Sequence, residues 1–204
     1  MSGIVGQNTL DGSGLIKSPE GGGGVWNFIS KTTASSDSTI DITSGLDSTY
    51  KTYVFTFNNI HPSAEQANFQ VNFSEDTGSN YNVTKTTTFF FSSHDEGDTS
   101  TSLSYLTSYD LAEGSGVQPI ALSVAGSGDN DSGASGYLHL FNPSSTTFVK
   151  HFISVAGAFT SSDYYNTNHV TGYCNTTSAV DAVQFSMASG NIDTGDICLY
   201  GIST

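Results

Sequence analysis

Apolar residues in this chain recur at every second position, and no 3.6-residue periodicity lasts longer than two turns. Tyr53, Phe55 and Phe57 alternate with Val54 and Thr56; Phe69, Val71 and Phe73 with Gln70 and Asn72; Val183, Phe185 and Met187 with Gln184 and Ser186. Successive side chains of an extended strand point to opposite faces, so each run predicts a strand with one apolar face. Segments 25–30, 86–92, 136–142, 148–155 and 196–202 read similarly. Turn-rich stretches at 75–80, 114–116 and 126–133 separate them, with Gly and Asn supplying the positive backbone angles of tight turns. About eight strands at this spacing predict an all-β, antiparallel sandwich, jelly-roll-like by first choice.

The strand pattern runs from Val25 to Thr204 without an internal linker or repeat, so residues 25–204 are read as one domain. Residues 1–24 differ. Small apolar residues (Ile4, Val5, Leu10, Leu15, Ile16) are spaced by glycines, and Gly21-Gly22-Gly23-Gly24 forms a hinge. The expectation is an extended N-terminal arm whose apolar residues order on another subunit. The start lacks the basic residues and apolar core of a secretory signal, and no run of about 18 apolar residues predicts a membrane helix.

Charge narrows the partners. Nineteen acidic residues against five lysines, with no arginine, give a net charge of -14. Neutralising nucleic-acid phosphates or binding an anionic membrane requires a basic face, which this composition cannot supply. Neither is expected as a direct partner. Only 12% of residues are charged and another 12% are aromatic, which predicts a neutral-polar surface with rings available for interfaces. Tyr105, Tyr109, Tyr164, Tyr165 and Tyr173 fall in polar, loop-like stretches, suited to a subunit interface or to stacking on a sugar.

Residues that could carry chemistry are few. Asp129 and Asp131 in the loop Ser127-Gly128-Asp129-Asn130-Asp131-Ser132-Gly133 could aim two carboxylates at calcium, but the later acidic ligand of an EF-hand is missing. An ordinary solvated turn is the preferred reading. The cluster Ser93-His94-Asp95-Glu96-Gly97-Asp98 could hold a metal or a tuned base, yet it also reads as a strand ending in solvent. His61, His139, His151 and His169 are scattered, with His139 and His151 expected on neighbouring strands. Cys174 and Cys198 are read as two reduced, half-buried thiols rather than a pair. Without a G-x-S-x-G elbow, a phosphate loop or a plain carboxylate pair, the chain is read as non-enzymatic, with no catalytic, cofactor or metal residues. Asn82-Val83-Thr84 and Asn175-Thr176-Thr177 match glycosylation acceptors only by chance.

Several segments carry a resemblance. The opening Met1-Ser2-Gly3-Ile4-Val5-Gly6 and Gly12-Ser13-Gly14-Leu15-Ile16 resemble leaders of virion and tail-fibre proteins of marine bacteriophages. The body is similar to a domain of such phages, cyanophages included. The matching pieces include Trp26-Asn27-Phe28-Ile29-Ser30, Ser48-Thr49-Tyr50-Lys51-Thr52-Tyr53-Val54-Phe55, Ile60-His61-Pro62, Leu138-His139-Leu140-Phe141-Asn142-Pro143 and Leu199-Tyr200-Gly201-Ile202. The resemblance implies a β-sandwich virion protein without catalytic residues or cofactors. It would be made in the bacterial cytoplasm and exposed on the particle exterior as a capsid decoration or a tail- or fibre-associated subunit. It would join other virion proteins through residues 1–24 and assemble as a homotrimer. A receptor- or carbohydrate-binding adsorption module, reading a host glycan, is the alternative.

Overall fold

The computed structural model describes residues 25–126, 128 and 132–203. The expected arm, residues 1–24, and the pair Asp129 and Asp131 lie outside the described residues. Among the described residues twelve strands form: β1 (Trp26–Thr33), β2 (Thr39–Ile42), β3 (Thr52–Pro62), β4 (Ala67–Ser74), β5 (Lys85–Asp95), β6 (Thr101–Tyr105), β7 (Gln118–Val124), β8 (Gly133–Phe141), β9 (Lys150–Phe159), β10 (Tyr164–Cys174), β11 (Ala182–Met187) and β12 (Ile192–Ile202). They make two sheets, of order β1-β12-β3-β8-β9-β10-β5-β6 and β2-β11-β4-β7. Every strand pair is antiparallel. The fold is an all-β sandwich.

The alternation of β3, β4 and β11 sets the core. Phe55 and Phe57 of β3 lie 5.5 and 5.2 Å from the ring of Phe185 on the opposite sheet, and Phe57 lies 5.2 Å from Phe69. Edge-to-face contacts of this kind add about 0.5–1.5 kcal/mol beyond the area they bury. Phe57 stands in register with Gly136, and Gly136 with Ala156. Small residues there leave the inter-sheet space to the rings. Val54 points the other way yet is fully buried, because its strand neighbours in register are Tyr200 and His139.

The larger sheet overhangs the smaller one, and the segment 106–117 covers the exposed inner end. Its Leu106 N–H donates to Phe89 O at 2.9 Å, and the Tyr109 ring lies 5.6 Å from Phe89. Two bulged strands meet at Asn59 (φ 49°) and Gly195 (φ 124°), where the β3–β12 register shifts. A side chain at Gly195 would need an unfavourable backbone conformation and would press on the Asn59 carbonyl.

The structure corrects four sequence readings. β2, β6, β7 and β10 are strands beyond the eight or so expected. Tyr105, Tyr164, Tyr165 and Tyr173 belong to strands β6 and β10, and half-buried Tyr109 packs on the core; a loop-borne tyrosine cluster does not form. β9 starts at Lys150 rather than at Phe148, which is exposed. Cys174 and Cys198 are free, as expected, but both are buried, not half-buried.

Candidate functional site: the outer face of the eight-stranded sheet

Directly paired residues of an antiparallel sheet share a face, so register determines which side chains meet. One row on the outer face reads Phe28, Tyr200, Val54, His139, Ile153, Thr171, Thr88, running from β1 to β5. The next reads Lys31, Cys198, Thr56, Tyr137, Val155, His169, Phe90, Tyr105. Trp26, Phe141, His151 and Tyr173 flank these on one side, and Leu103 and Tyr165 on the other. Phe28 is 61% exposed, Leu103 78%, Tyr165 55% and Trp26 48%. Large side chains that a core would bury stand open across the sheet's full width.

Three of the five histidines are set among these rings. His139 lies between Trp26 (6.4 Å), Tyr137 (5.2 Å) and Phe141 (6.0 Å). Burial among them pushes its imidazole down from the ordinary value, since the charged form is poorly solvated there. His169 stacks on Phe90 at 5.0 Å and His151 packs against Tyr173 at 5.9 Å. The strands of His139 and His151 are indeed neighbours, but Ile153, not His151, is paired with His139.

A cleft of about 350 Å³ opens on this face, lined chiefly by Phe141, His151, Ile153 and Tyr173 with the hydroxyls of Thr86, Thr88 and Thr171. Thr88 and Thr171 bond each other at 2.8 Å. No Asp, Glu, Lys or Arg lines it.

The remaining candidates resolve into structural roles. The cluster at 93–98 comprises the last three residues of β5, which runs on to Asp95, and the start of the turn that leads to β6. Asp95 accepts the Thr99 and Ser100 amides at 2.9 and 2.7 Å, and with the Thr99 hydroxyl these hold its carboxyl below the usual range. His94 faces outward and meets Asp98 at 3.2 Å. His61 contacts Ser132 at 3.2 Å. Among the described residues, no group of three or more His, Cys, Asp or Glu side chains could hold a metal ion.

Sequence reasoning missed a buried row on the inner face: Lys85, Cys174 and Lys150 are direct register partners, and all three are completely buried. The Lys85 amine donates to Asn72 Oδ1 at 2.6 Å and Val83 O at 2.7 Å; that of Lys150 donates to Thr176 O at 3.1 Å. Burial lowers both lysines, Lys85 to about 8, and pushes the Cys174 thiol up to about 12. A thiol so protonated is a poor nucleophile, and the row acts as a polar plug for carbonyl groups. Only the alternation through Lys85, Thr87 and Phe89 could have signalled that this lysine points inward.

No family model, curated protein or solved structure matches this chain.

Proposed function

We propose that this protein is a non-enzymatic structural component of a bacteriophage particle, displayed on the particle surface as a capsid decoration or a tail- or fibre-associated subunit. The strand order carries the reading. The order β1-β12-β3-β8 packed on β2-β11-β4-β7 supports a jelly-roll reading, in which β5-β6 and β9-β10 are two hairpins that widen one sheet. Jelly rolls recur in viral capsid proteins, which is support by fold analogy alone. The segments quoted above for their likeness to marine phage proteins point the same way, with residues 1–24 as the anchor.

Quantitative mass spectrometry of purified particles tests it. A copy number in the hundreds places the chain on the head, and a few to a few dozen on the tail or a fibre. Absence from particles refutes the proposal. Deleting residues 2–20 should leave the sandwich folded but unable to join particles; full incorporation of the truncated chain would remove the arm from the account.

One observation favours a second reading, an adsorption module for a host glycan. The cleft pairs aromatic rings with threonine hydroxyls and holds no carboxylate, lysine or arginine, which suits a neutral sugar. Binding of neutral oligosaccharides by calorimetry, lost in Tyr173→Ala, would support it.

A further inference from the structure

We propose that the outer face of the eight-stranded sheet is a self-association surface, on which a second copy of this chain packs face to face about a twofold axis. The proposal does not depend on the particle reading above.

Charge is unevenly distributed over the molecule. The chain carries 19 acidic residues, yet the paired strand residues of this face include one carboxylate, Asp196. Lys31 neutralises it at 3.1 Å. Other carboxylates stand at the rim and are engaged there: Asp98 with His94, Asp110 with the Tyr105 hydroxyl at 2.6 Å, and Glu113 with Asn175 at 3.3 Å. Two chains of charge -14 repel wherever carboxylates meet, and screening over about 8 Å at physiological salt only softens this. The outer face is a broad surface on which two copies can touch without opposing like charges.

Its chemistry and size fit that occupant. Interface centres are depleted in charge and enriched in aromatic residues, as this face is around Tyr137, His139 and Phe90. Eight strands about 4.8 Å apart, each roughly nine residues long at about 3.3 Å per residue, span on the order of 1,000 Å². A stable standard-size interface needs about 800 Å² per partner. Two identically twisted sheets pack at about 30° with interdigitating side chains, and a self-complementary patch closes as a dimer. β8 and β9 are the two middle strands of the sheet order, so Tyr137 and Ile153 fall near the axis. A dimer of this kind would displace the homotrimer that the resemblance implies.

Sedimentation of the full chain at rising concentration tests the proposal. The expected result is a species of twice the 21.4 kDa chain mass. Ile153→Asp, which sets two carboxylates against each other at the axis, should weaken association at least about a hundredfold. Val117→Glu, an exposed apolar position in the 106–117 segment, should leave it unchanged, and melting curves check that both variants fold. Independently, Ile153→Cys should cross-link to itself under mild oxidation. A single-chain mass at every concentration overturns the proposal. So does a three-chain mass, association that survives Ile153→Asp, association that disappears when residues 1–24 are deleted, or a neutral sugar bound to the face of a monomer.

Discussion

Individual residues in this fold are decided by which side of a strand they occupy. Phe55 is fully buried between the sheets, while Thr56, one position along, lies half-buried on the outer face. Phe55→Ala should cost about 3–5 kcal/mol, through lost transfer energy and the cavity left behind. Thr56→Ala should cost under about 1 kcal/mol, and chemical denaturation of the two variants checks the register directly. Lys85 offers a second test. Its amine is lowered to about 8 in the fold against 10.5 in the open chain. Between those values the unfolded state holds more protons, so stability from this group rises with pH; below pH 8 the buried ammonium is a constant cost. Tyr81, pushed up to about 12 by burial, opposes the trend only above about pH 10, where an unfolded tyrosine ionises. From pH 8 to 10 the native protein should therefore gain up to roughly 2 kcal/mol relative to Lys85→Met, given 1.36 kcal/mol per pH unit. Parallel pH profiles of the two proteins would refute this.

Among the elements, the informative contacts are those that hold the overhanging half of the large sheet. Gln118 opens β7 completely buried, and its side chain ties three pieces together. It accepts the Thr87 hydroxyl of β5 at 2.7 Å and donates to Tyr109 O at 3.0 Å, while Thr87 Oγ1 accepts the Leu111 N–H at 2.8 Å. Gln118→Leu leaves the Tyr109 carbonyl and the Thr87 hydroxyl without these partners, at about 1–3 kcal/mol for each buried polar group stranded. The expected consequence is local. Hydrogen exchange at the Leu106 and Leu111 amides should accelerate at least about tenfold, while that of β3 and β4 changes much less. Equal acceleration everywhere would mean that the 106–117 segment is not a separable cover.

At the scale of the molecule, charge and shape are segregated. Among the described residues, carboxylates other than Asp196 occupy turns, the small sheet and the rim, leaving the broad outer face aromatic and nearly uncharged. A net charge of -14 without arginine offers phosphates no basic face. The protein should therefore leave DNA mobility unchanged in a gel at physiological salt. Retardation at sub-micromolar protein would require a bridging cation and would count against the proposed placement on a particle exterior.

Period-2 patterning was enough to determine the all-β class, the antiparallel sandwich and the central strands β3, β4 and β11. Alternation is a local property, and there the inner residues are all apolar. β10 escaped because Asn166 and Asn168 occupy inward positions, so the pattern does not alternate by polarity. Pairing with β9 and β5 along its whole length makes it a strand, with the Asn168 amide satisfied by Leu122 N–H and Ala156 O. β7 is disguised by Pro119 and a register shift, and β6 is a short exposed edge. The candidate site was legible only as ingredients: many tyrosines and scattered histidines. Whether they share a face depends on the order in which distant strands pair. Phe28, His139 and Phe90 are far apart along the chain and come to one side only after hydrogen bonding across the sheet sets the register. Tertiary structure also buried Lys85 and Lys150, because strand direction, not side-chain polarity, aims an inward position.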